Sequence, residues 1–270
     1  MWRYDGRRVV VTGCASGIGA ALMDQLRDLG AEVVGLDVRR PEGMAGDFVE
    51  VDLAQPESVD SAVGQLGARV DALFNVAGVS SGIGDPLLVV RINFLGTRHL
   101  TESVLPLMTT GSSVVSVSSL AAAGYREHLN QVAGLLATAS VEDGIEWCHR
   151  NPEALADGGY RLSKEAIIGY TVCQAVPLGA RGIRINCTGP GVTDTPILDQ
   201  LITRYGHDYL DTIPKPLGRV SNPAEQAAAL AFLGSPAAGY ITGQILWTDG
   251  GNVAARQAPD FESGVTTCQE

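Results

Sequence analysis

A tyrosine and a lysine stand four positions apart in the segment GGYRLSKEA, residues 158–166. The segment is predicted to be helical, and side chains at positions i and i+4 lie on one face of a helix. The ammonium group of Lys164 would then lie near the phenol of Tyr160, where it favours the phenolate. Such a tyrosine can act as a general acid or base. A surface tyrosine beside a solvated lysine gives the same spacing, so further motifs are needed.

A glycine-rich turn, TGCASGIG at residues 12–19, joins a predicted strand to a predicted helix. Gly13, Gly17 and Gly19 form G-x-x-x-G-x-G, which is related to the dinucleotide-binding fingerprint. Small residues allow the backbone to approach a pyrophosphate, and the helix N-terminus offers N–H donors and the positive end of the helix dipole. The turn therefore predicts a dinucleotide site, and a glycine turn with a purely structural role is the alternative.

Asp37 ends the next predicted strand, close to the ~20-residue distance from the glycine turn that is typical of a ribose-binding carboxylate. A carboxylate at this place accepts hydrogen bonds from the adenosine ribose and repels a 2′-phosphate, which favours NAD over NADP. NADP remains an alternative cofactor because of Arg39 and Arg40, since a guanidinium group beside the ribose can accommodate that phosphate.

Apolar runs alternate with helical segments along the chain, which predicts parallel strands joined by right-handed crossovers and covered by helices on both faces. A long helix is predicted from Pro86 to about Met108, and another from Tyr160 to about Gly179. No linker divides the chain, so we predict one α/β domain over residues 1–253 and a loose tail over 254–270. The predicted strands are RRVVVTG, AEVVGLD, DFVEVDL, VDALFNVAG, SSVVSVSS, GIRINCTG and GQILWTDGG.

The composition excludes several classes of partner. A net charge of −11 over 270 residues argues against nucleic acid or an anionic membrane as a partner. The five cysteines and four histidines lack the spacing of a disulfide framework or a metal site, so neither is expected. The uncharged segment 226–248 is long enough to cross a bilayer, but GSPAAGY interrupts it, so a helix, a turn and a buried strand are predicted there. The first residues contain no apolar signal segment, so we expect a cytoplasmic protein.

Taken together, these motifs resemble those of the short-chain dehydrogenase/reductase family, from about Arg7 to Gly251. NVAG (75–78) is similar to the family's N-N-A-G, INFLGT to its helix-four motif, SVSS to its serine motif, and GPGVTDTP to its downstream P-G motif. Seven motifs occur in the family's order. The resemblance implies a single doubly wound Rossmann-type domain with a seven-stranded, mostly parallel sheet, and NAD as the cofactor.

The resemblance also implies a role for particular residues. Tyr160 would exchange a proton with the substrate oxygen while hydride passes to or from the nicotinamide, and Lys164 would hold the nicotinamide ribose. Asn93 would position a water molecule, and Ser119 would polarise the substrate oxygen. The implied cofactor contacts are Gly13, Ala15, Ser16, Gly17, Ile18, Gly19, Asp37, Asp52, Leu53, Asn75, Ala77, Gly78, Tyr160, Lys164, Pro190, Val192 and Thr195.

The serine of this set is one of an adjacent pair. Because side chains alternate along a strand, Ser118 and Ser119 are predicted to point to opposite faces, so one of the two reaches the substrate. The family uses the second serine of its pair, which favours Ser119. Ser118 would then pack or form a backbone hydrogen bond.

The chain departs from the family between its serine and its tyrosine, where about residues 124–152 are additional. This insertion is predicted to form two short helices, with Ser140 and Asp143 capping the second and Asn151–Pro152 ending it. Tyr125 has Leu129 rather than a lysine at i+4, so Tyr160 stays the predicted acid–base residue.

Two branches of the family share further features with the chain, namely dehydrogenases of 3α-hydroxysteroids and of coniferyl-type aromatic alcohols. The resemblance implies a bulky apolar alcohol, ketone or aldehyde as substrate. Segment 198–213 occupies the place of the family's substrate loop. Its apolar side chains either line a pocket or pack as in an ordinary helix; they include Ile202, Tyr205, Tyr209 and Leu210.

In the family, the helices that carry the residues equivalent to Tyr160 and Asn93 commonly pack against a neighbouring subunit, so the resemblance implies a homo-oligomer, either a dimer or a tetramer. The insertion emerges beside that surface and either folds over the substrate mouth or covers the helices. Its apolar positions, all of which we expect to be buried, are Leu129, Val132, Leu135 and Leu136.

Two alternative functions are considered. A non-catalytic dinucleotide-binding regulator would not need the tyrosine, lysine, serine and asparagine together. A methyltransferase would leave the Tyr–Lys pair unexplained.

Overall fold

The structure of the chain is a computed structural model. It describes residues 2–43, 46–67, 69–206 and 208–267, without the side chains of residues 209, 210 and 260–267. All seven predicted strands are present, and each is shorter than the segment that predicted it. Their bounds are β1 Arg8–Thr12, β2 Glu32–Asp37, β3 Asp47–Glu50, β4 Ala72–Asn75, β5 Ser113–Val117, β6 Arg184–Pro190 and β7 Ile245–Thr248.

The seven strands form one sheet in the order β3-β2-β1-β4-β5-β6-β7, and every pairing between them is parallel. The strand order reverses direction between β1 and β4. In open parallel sheets, ligands bind in the crevice outside the carboxyl ends of the strands at such a reversal. The sheet topology therefore directs attention to the segments that follow β1 and β4.

Helices cover both faces of the sheet, as predicted. Because side chains alternate along a strand, Val10 and Leu73 belong to the apolar core on one face, whereas Val9, Val11 and Phe74 belong to the core on the other. The bounds of the helices are α1 Gly17–Asp28, α2 Pro56–Gln65, α3 Pro86–Val90, α4 Thr97–Val104, α5 Leu129–Leu136, α6 Val141–Arg150, α7 Tyr160–Gly179, α8 Pro196–Tyr205, α9 Asp208–Asp211, α10 Pro223–Gly234 and α11 Asn252–Thr267.

The predicted helix from Pro86 to Met108 is not uniform. A π-helical segment, Arg91–Gly96, separates α3 from α4, and a 3₁₀ turn, Leu105–Leu107, follows α4. A π-helical segment inside a helix is uncommon and is often found at functional sites. Asn93 lies within it.

The predicted loose tail is wrong for residues 254–267, which belong to α11 (Asn252–Thr267). The carboxylate of Asp249 accepts hydrogen bonds from the backbone N–H groups of Gly251 (2.9 Å) and Val253 (2.7 Å), at the start of this helix. The side-chain amide of Asn252 donates to the Pro214 carbonyl oxygen at 2.7 Å. These contacts hold the start of α11, which the weak apolar pattern of the segment did not reveal.

The insertion contains the two predicted helices, α5 and α6. The Ser140 hydroxyl accepts a hydrogen bond from the Asp143 N–H at 3.0 Å, as the capping pattern predicted. Helix α5 packs on α7 so closely that a β carbon at Gly169 would lie 2.7 Å from Val132 and 2.8 Å from Leu136. The insertion thus covers α7, which was one of the two predicted alternatives.

One apolar residue of the insertion is not buried as expected, since Leu129 is 54% exposed. Polar contacts also attach the insertion to α7. The buried carboxylate of Glu165 contacts Nδ1 of His128 at 2.8 Å and accepts a hydrogen bond from Arg161 at 2.7 Å. Arg161 also donates to Gln131 in α5 at 3.2 Å.

The uncharged segment 226–248 consists of most of α10, a 3₁₀ turn (Pro236–Ala238) and β7, in agreement with the predicted helix, turn and strand. Among the residues that the structure describes, no helix has the length and apolar character needed to span a membrane.

Candidate active site

A cavity of about 400 Å³ opens at the carboxyl ends of the strands, where the strand order reverses. Most of the residues predicted to bind cofactor or substrate lie in its wall. They are Gly13, Ser16, Gly17, Ile18, Gly19, Asp37, Asp52, Leu53, Ala77, Gly78, Ser119, Tyr160, Lys164, Pro190, Val192 and Thr195. The structure therefore brings together residues that are widely separated in the sequence.

The glycine turn forms a cradle that side chains would fill. Gly13 has a positive φ of 70°, and a β carbon there would lie 2.7 Å from the Ala77 Cα atom. The Thr12 hydroxyl accepts hydrogen bonds from the N–H groups of Val76 and Ala77, both at 3.0 Å, and so joins this turn to the segment after β4. Ser16 precedes α1 without a side-chain hydrogen bond to the helix, which leaves first-turn N–H groups available to a pyrophosphate.

Asp37 lies in the cavity wall, where its carboxylate accepts hydrogen bonds from the N–H groups of Ala15 (2.9 Å) and Val38 (2.8 Å). Ala15 itself is not in the wall, so its N–H group orients Asp37 instead of contacting a cofactor directly. Arg39 and Arg40 are not in the wall either. Arg40 donates to the Gly46 carbonyl oxygen at 3.0 Å, and its guanidinium lies 5.8 Å from the centre of the Phe48 ring.

Tyr160 and Lys164 lie together, as their spacing predicted. Tyr160 is the first residue of α7, and the Lys164 Nζ atom is 5.7 Å from the centre of its ring. Lys164 is only 4% exposed and donates a hydrogen bond to the Val117 carbonyl oxygen at 3.0 Å. Burial disfavours the charged form and lowers the pKa of Lys164 from 10.5 to about 8. At pH 7 the amine is therefore still mainly an ammonium group.

The two adjacent serines make different contacts. The Ser118 hydroxyl donates to the Lys164 carbonyl oxygen at 2.7 Å and so attaches the end of β5 to α7. The Ser119 hydroxyl accepts a hydrogen bond from the Ala121 N–H at 3.2 Å, which caps a 3₁₀ turn, Leu120–Ala122. Ser118 thus forms the backbone hydrogen bond expected of it, and Ser119 retains its hydrogen for a ligand in the cavity.

Asn93 and Asn75 are not among the residues that line the cavity. The Asn93 side chain bonds both backbone groups of Val79, at 2.8 and 2.9 Å, and donates to the Ser163 hydroxyl at 3.2 Å. Ser163 in turn donates to the Tyr160 carbonyl oxygen at 2.7 Å. The side chain of Asn93 therefore holds the loop after β4 against the first turn of α7.

Asn75 occupies a similar position one element away. Its amide donates to the hydroxyl groups of Thr101 in α4 (2.9 Å) and Ser116 in β5 (3.1 Å). It therefore joins β4 to α4 and β5, directly before the wall residue Val76. Of the hydroxyl groups that complete these polar links, Thr12 belongs to the predicted glycine turn, whereas no motif pointed to Ser163 or Thr101.

The end of the cavity near Tyr160 is mainly apolar. Its wall contains one face of α8 together with residues that no motif indicated, namely Val79, Leu120, Ile197, Leu198, Leu201 and Ile213. The predicted segment thus contributes to the wall, but Ile202 and Tyr205 are not among the residues that line the cavity. The side chains of Tyr209 and Leu210 lie outside the described residues.

Within the described part of the chain, no group of three or more histidine, cysteine, aspartate and glutamate side chains could hold a metal ion. Cys14, Cys148, Cys173 and Cys187 are free thiols. His207 and Cys268 lie outside the described residues.

Comparison with known proteins identifies the family. Residues 9–141 match the NAD dependent epimerase/dehydratase family, and residues 151–252 match the enoyl-(acyl carrier protein) reductase family. The chain is 37% identical to coniferyl-alcohol dehydrogenase of Pseudomonas sp. (strain HR199 / DSM 7063) over 92% of this chain and 97% of that protein. The chain belongs to the short-chain dehydrogenase/reductase family.

Two further relatives agree with this assignment. The 3-alpha-hydroxysteroid dehydrogenase/carbonyl reductase of Comamonas testosteroni is 31% identical over 94% of this chain and 99% of that protein. The crystal structure of the 3-alpha-hydroxysteroid dehydrogenase from Pseudomonas sp. B-0831 complexed with NADH superposes with a TM-score of 0.81 and 33% identity. That comparison covers 93% of this short-chain dehydrogenase/reductase and 98% of the solved chain.

Because the Lys164 ammonium group is buried, we expect its removal to increase the free energy of unfolding. Below about pH 8, Lys164 is charged in both the folded and unfolded states, and its burial costs about 3 kcal/mol; the cost falls between pH 8 and 10.5 and is absent above that range. Lys164→Met also loses the hydrogen bond to Val117, so we expect a net gain of about 2 kcal/mol in the free energy of unfolding at pH 7. The gain should shrink towards pH 10.

Urea unfolding of the wild type and of Lys164→Met at pH 7 and pH 9.5 measures this gain. Lys215→Met is the matched control. Lys215 is the second of the two lysines in the chain and does not line the cavity, so this variant should not show the same pH-dependent gain in the free energy of unfolding. A Lys164→Met protein that is less stable than the wild type at pH 7 would contradict the prediction.

Proposed function

We propose that this short-chain dehydrogenase/reductase is an NAD-dependent alcohol dehydrogenase and carbonyl reductase for bulky apolar substrates. The proposed substrates are coniferyl-type aromatic alcohols or 3α-hydroxysteroids, with the matching aldehydes or ketones in the reverse direction. One observation carries the proposal: a single cavity wall contains the glycine turn, the Tyr160–Lys164 pair and an apolar end. Two relatives of the chain, which are named as dehydrogenases of these two substrate classes, also support the proposal.

The cavity fits a dinucleotide, and its charges favour NAD. The close approach of Gly13 to Ala77 leaves no room for a side chain where a pyrophosphate would pass, and α1 begins there without a side-chain cap. Asp37 would accept hydrogen bonds from the adenosine ribose, and its carboxylate disfavours a 2′-phosphate. Arg39 and Arg40 are outside the wall, and a relative has been solved with NADH, which also supports NAD. When bound, NAD supplies the hydride acceptor.

The residues of the chain would handle the proton. In the oxidative direction, the Tyr160 phenolate takes the proton of the alcohol O–H group, while the carbinol C–H bond gives up its hydride. In reduction, the Tyr160 phenol protonates the oxygen of the carbonyl group. Because a free phenol has a pKa near ~10, the phenolate needs the nearby Lys164 ammonium to form near neutral pH. Ser119 donates a hydrogen bond to the substrate oxygen, and Asn93 positions the first turn of α7 through Ser163.

We further propose a cytoplasmic location. Four cysteines in the described part of the chain are free thiols, and the cytoplasm keeps thiols reduced. Apolar alcohols and ketones are the expected partners, and we propose neither nucleic acid nor a membrane as a partner, because the net charge is −11.

Tyr160→Phe tests the acid–base role. Phenylalanine keeps the ring but offers no proton acceptor, so we expect the kcat for alcohol oxidation to fall at least a thousandfold while the affinity for NADH stays within threefold. NADH formation at 340 nm gives kcat, and fluorescence titration gives the Kd of NADH. Tyr125→Phe is the matched control and should retain activity. Turnover of Tyr160→Phe within tenfold of the wild type would exclude this role.

Asp37→Asn tests cofactor selection. The amide retains hydrogen-bonding atoms but removes the negative charge, so we expect the ratio of kcat/KM with NADP to kcat/KM with NAD to rise at least tenfold. Asp60→Asn, which removes an exposed carboxylate on α2, controls for the change in net charge. If the ratio for Asp37→Asn equals that of the control, another residue selects the cofactor.

We also propose a homo-oligomer with the insertion at or near a subunit contact. The insertion covers α7 in this chain, so its removal would expose Glu165 and the surface around Gly169. Light scattering should therefore give different masses for the full chain and for a variant in which a short linker replaces residues 124–152. Circular dichroism checks that the variant is folded. Identical masses for two folded, active proteins would show that the insertion does not govern assembly.

A further inference from the structure

Ser81 is a polar residue at the apolar end of the cavity that neither the motifs nor the proposed reaction uses. It begins a 3₁₀ turn, Ser81–Ile83, after β4 and lies in the cavity wall. The wall around the reacting end also contains Ser119, Tyr160 and Lys164, which the proposed reaction already uses, and Ser118, whose hydroxyl donates to the Lys164 carbonyl oxygen. A hydroxyl group at this place is an available polar contact for a part of the substrate remote from its reacting oxygen.

Contacts on two sides fix the position of Ser81. Its Oγ atom lies 3.1 Å from the Tyr205 Oη atom at the end of α8, and the neighbouring Ser80 hydroxyl donates to Gln200 of α8 at 3.0 Å. On the other side, a β carbon at Gly158 would lie 2.7 Å from the Ser81 Cβ atom. Ser81 is therefore held between α8 and the turn that leads directly into Tyr160.

The pairing with Tyr205 leaves Ser81 able to bind a further group. A serine hydroxyl offers one hydrogen to donate and two lone pairs, and Tyr205 uses one of these three. If Tyr205 donates to Ser81, the serine hydrogen can point to an oxygen in the cavity. If Ser81 donates to Tyr205, its lone pairs can accept a hydrogen bond from a hydroxyl group. In both arrangements Tyr205 orients Ser81, and Ser81 can contact a ligand.

We infer that Ser81, oriented by Tyr205, binds a second oxygen of the substrate, remote from the carbon that is oxidised. The inference rests on the proposed function and narrows its substrate class to aromatic or alicyclic alcohols that carry another hydroxyl, ether or carbonyl oxygen. A site that hydrogen-bonds a substrate oxygen discriminates against the analogue that lacks it, because that hydrogen bond is then missing from the complex. Ser81 is a specificity-determining residue and Tyr205 a positioning residue.

Matched pairs of alcohols test the inference with NAD as the cofactor. The aromatic pair is 4-hydroxycinnamyl alcohol and cinnamyl alcohol, and the steroid pair is androsterone and 5α-androstan-3α-ol. For whichever pair the wild type oxidises, kcat/KM should be about tenfold higher for the alcohol with the second oxygen than for its partner, mainly because its KM is lower. Ser81→Ala and Tyr205→Phe should reduce that preference to about twofold or less. Both should leave kcat/KM for the other member within twofold of the wild type.

Tyr240→Phe is the matched control for the loss of a tyrosine hydroxyl group. Tyr240 is fully exposed and precedes the amino end of β7, at the sheet edge opposite the cavity, so the preference should not change. Equal losses for both members of a pair in Ser81→Ala and Tyr205→Phe would overturn the inference and show that these hydroxyl groups only attach α8. A wild type that oxidises a pair without preference would overturn it too, while the proposed function would stand. No oxidation of any of the four alcohols would overturn the proposed function and this inference with it.

Discussion

The contact between the end of β5 and the first turns of α7 is the constraint on which the rest of the site depends. Lys164 donates its side-chain hydrogen bond to the Val117 carbonyl oxygen, and Ser118 donates to the Lys164 carbonyl oxygen. These two bonds fix α7 to the carboxyl end of the sheet in both position and rotation. Because the sheet is rigid, they also fix Tyr160 relative to the loops that follow β1 and β4. The burial of a charged amine is the energetic cost of this arrangement, so the site is a place where stability and the proposed chemistry oppose each other.

Polar side chains behind the cavity wall hold its loops in place through hydrogen bonds. Thr12 joins the glycine turn to the loop after β4, Asn75 joins β4 to α4 and β5, and Asn93 joins the loop after β4 to α7. Each of these side chains satisfies backbone or hydroxyl groups that burial would otherwise leave without partners, which is costly in an apolar interior. The loops therefore keep their geometry without contributing these side chains to the cavity wall.

The insertion adds a further layer outside α7. It contacts Arg161 and Glu165 of α7, which directly follow Tyr160 and Lys164 in the sequence. Successive residues of a helix point in directions about 100° apart. The same two turns of α7 therefore present the Tyr–Lys pair to the cavity and an ionic pair to the insertion. This division lets the insertion cover α7 without obstructing the proposed acid–base residues.

The sequence by itself determined the features that depend on local spacing. Apolar runs bounded by glycine predicted all seven strands, the helical period predicted α1, α7 and both insertion helices, and the i, i+4 rule brought Lys164 to Tyr160. Only the tertiary structure decided which partner each polar side chain finds. The side chains of Asn75 and Asn93 form hydrogen bonds to distant elements. Leu198 of α8 lines the cavity and Ile202 does not. Asp249 accepts hydrogen bonds at the start of a helix where a loose tail was predicted. The physical reason is that periodicity is encoded in neighbouring residues, whereas a hydrogen-bond partner or a buried face is set by the packing of elements far apart in the chain.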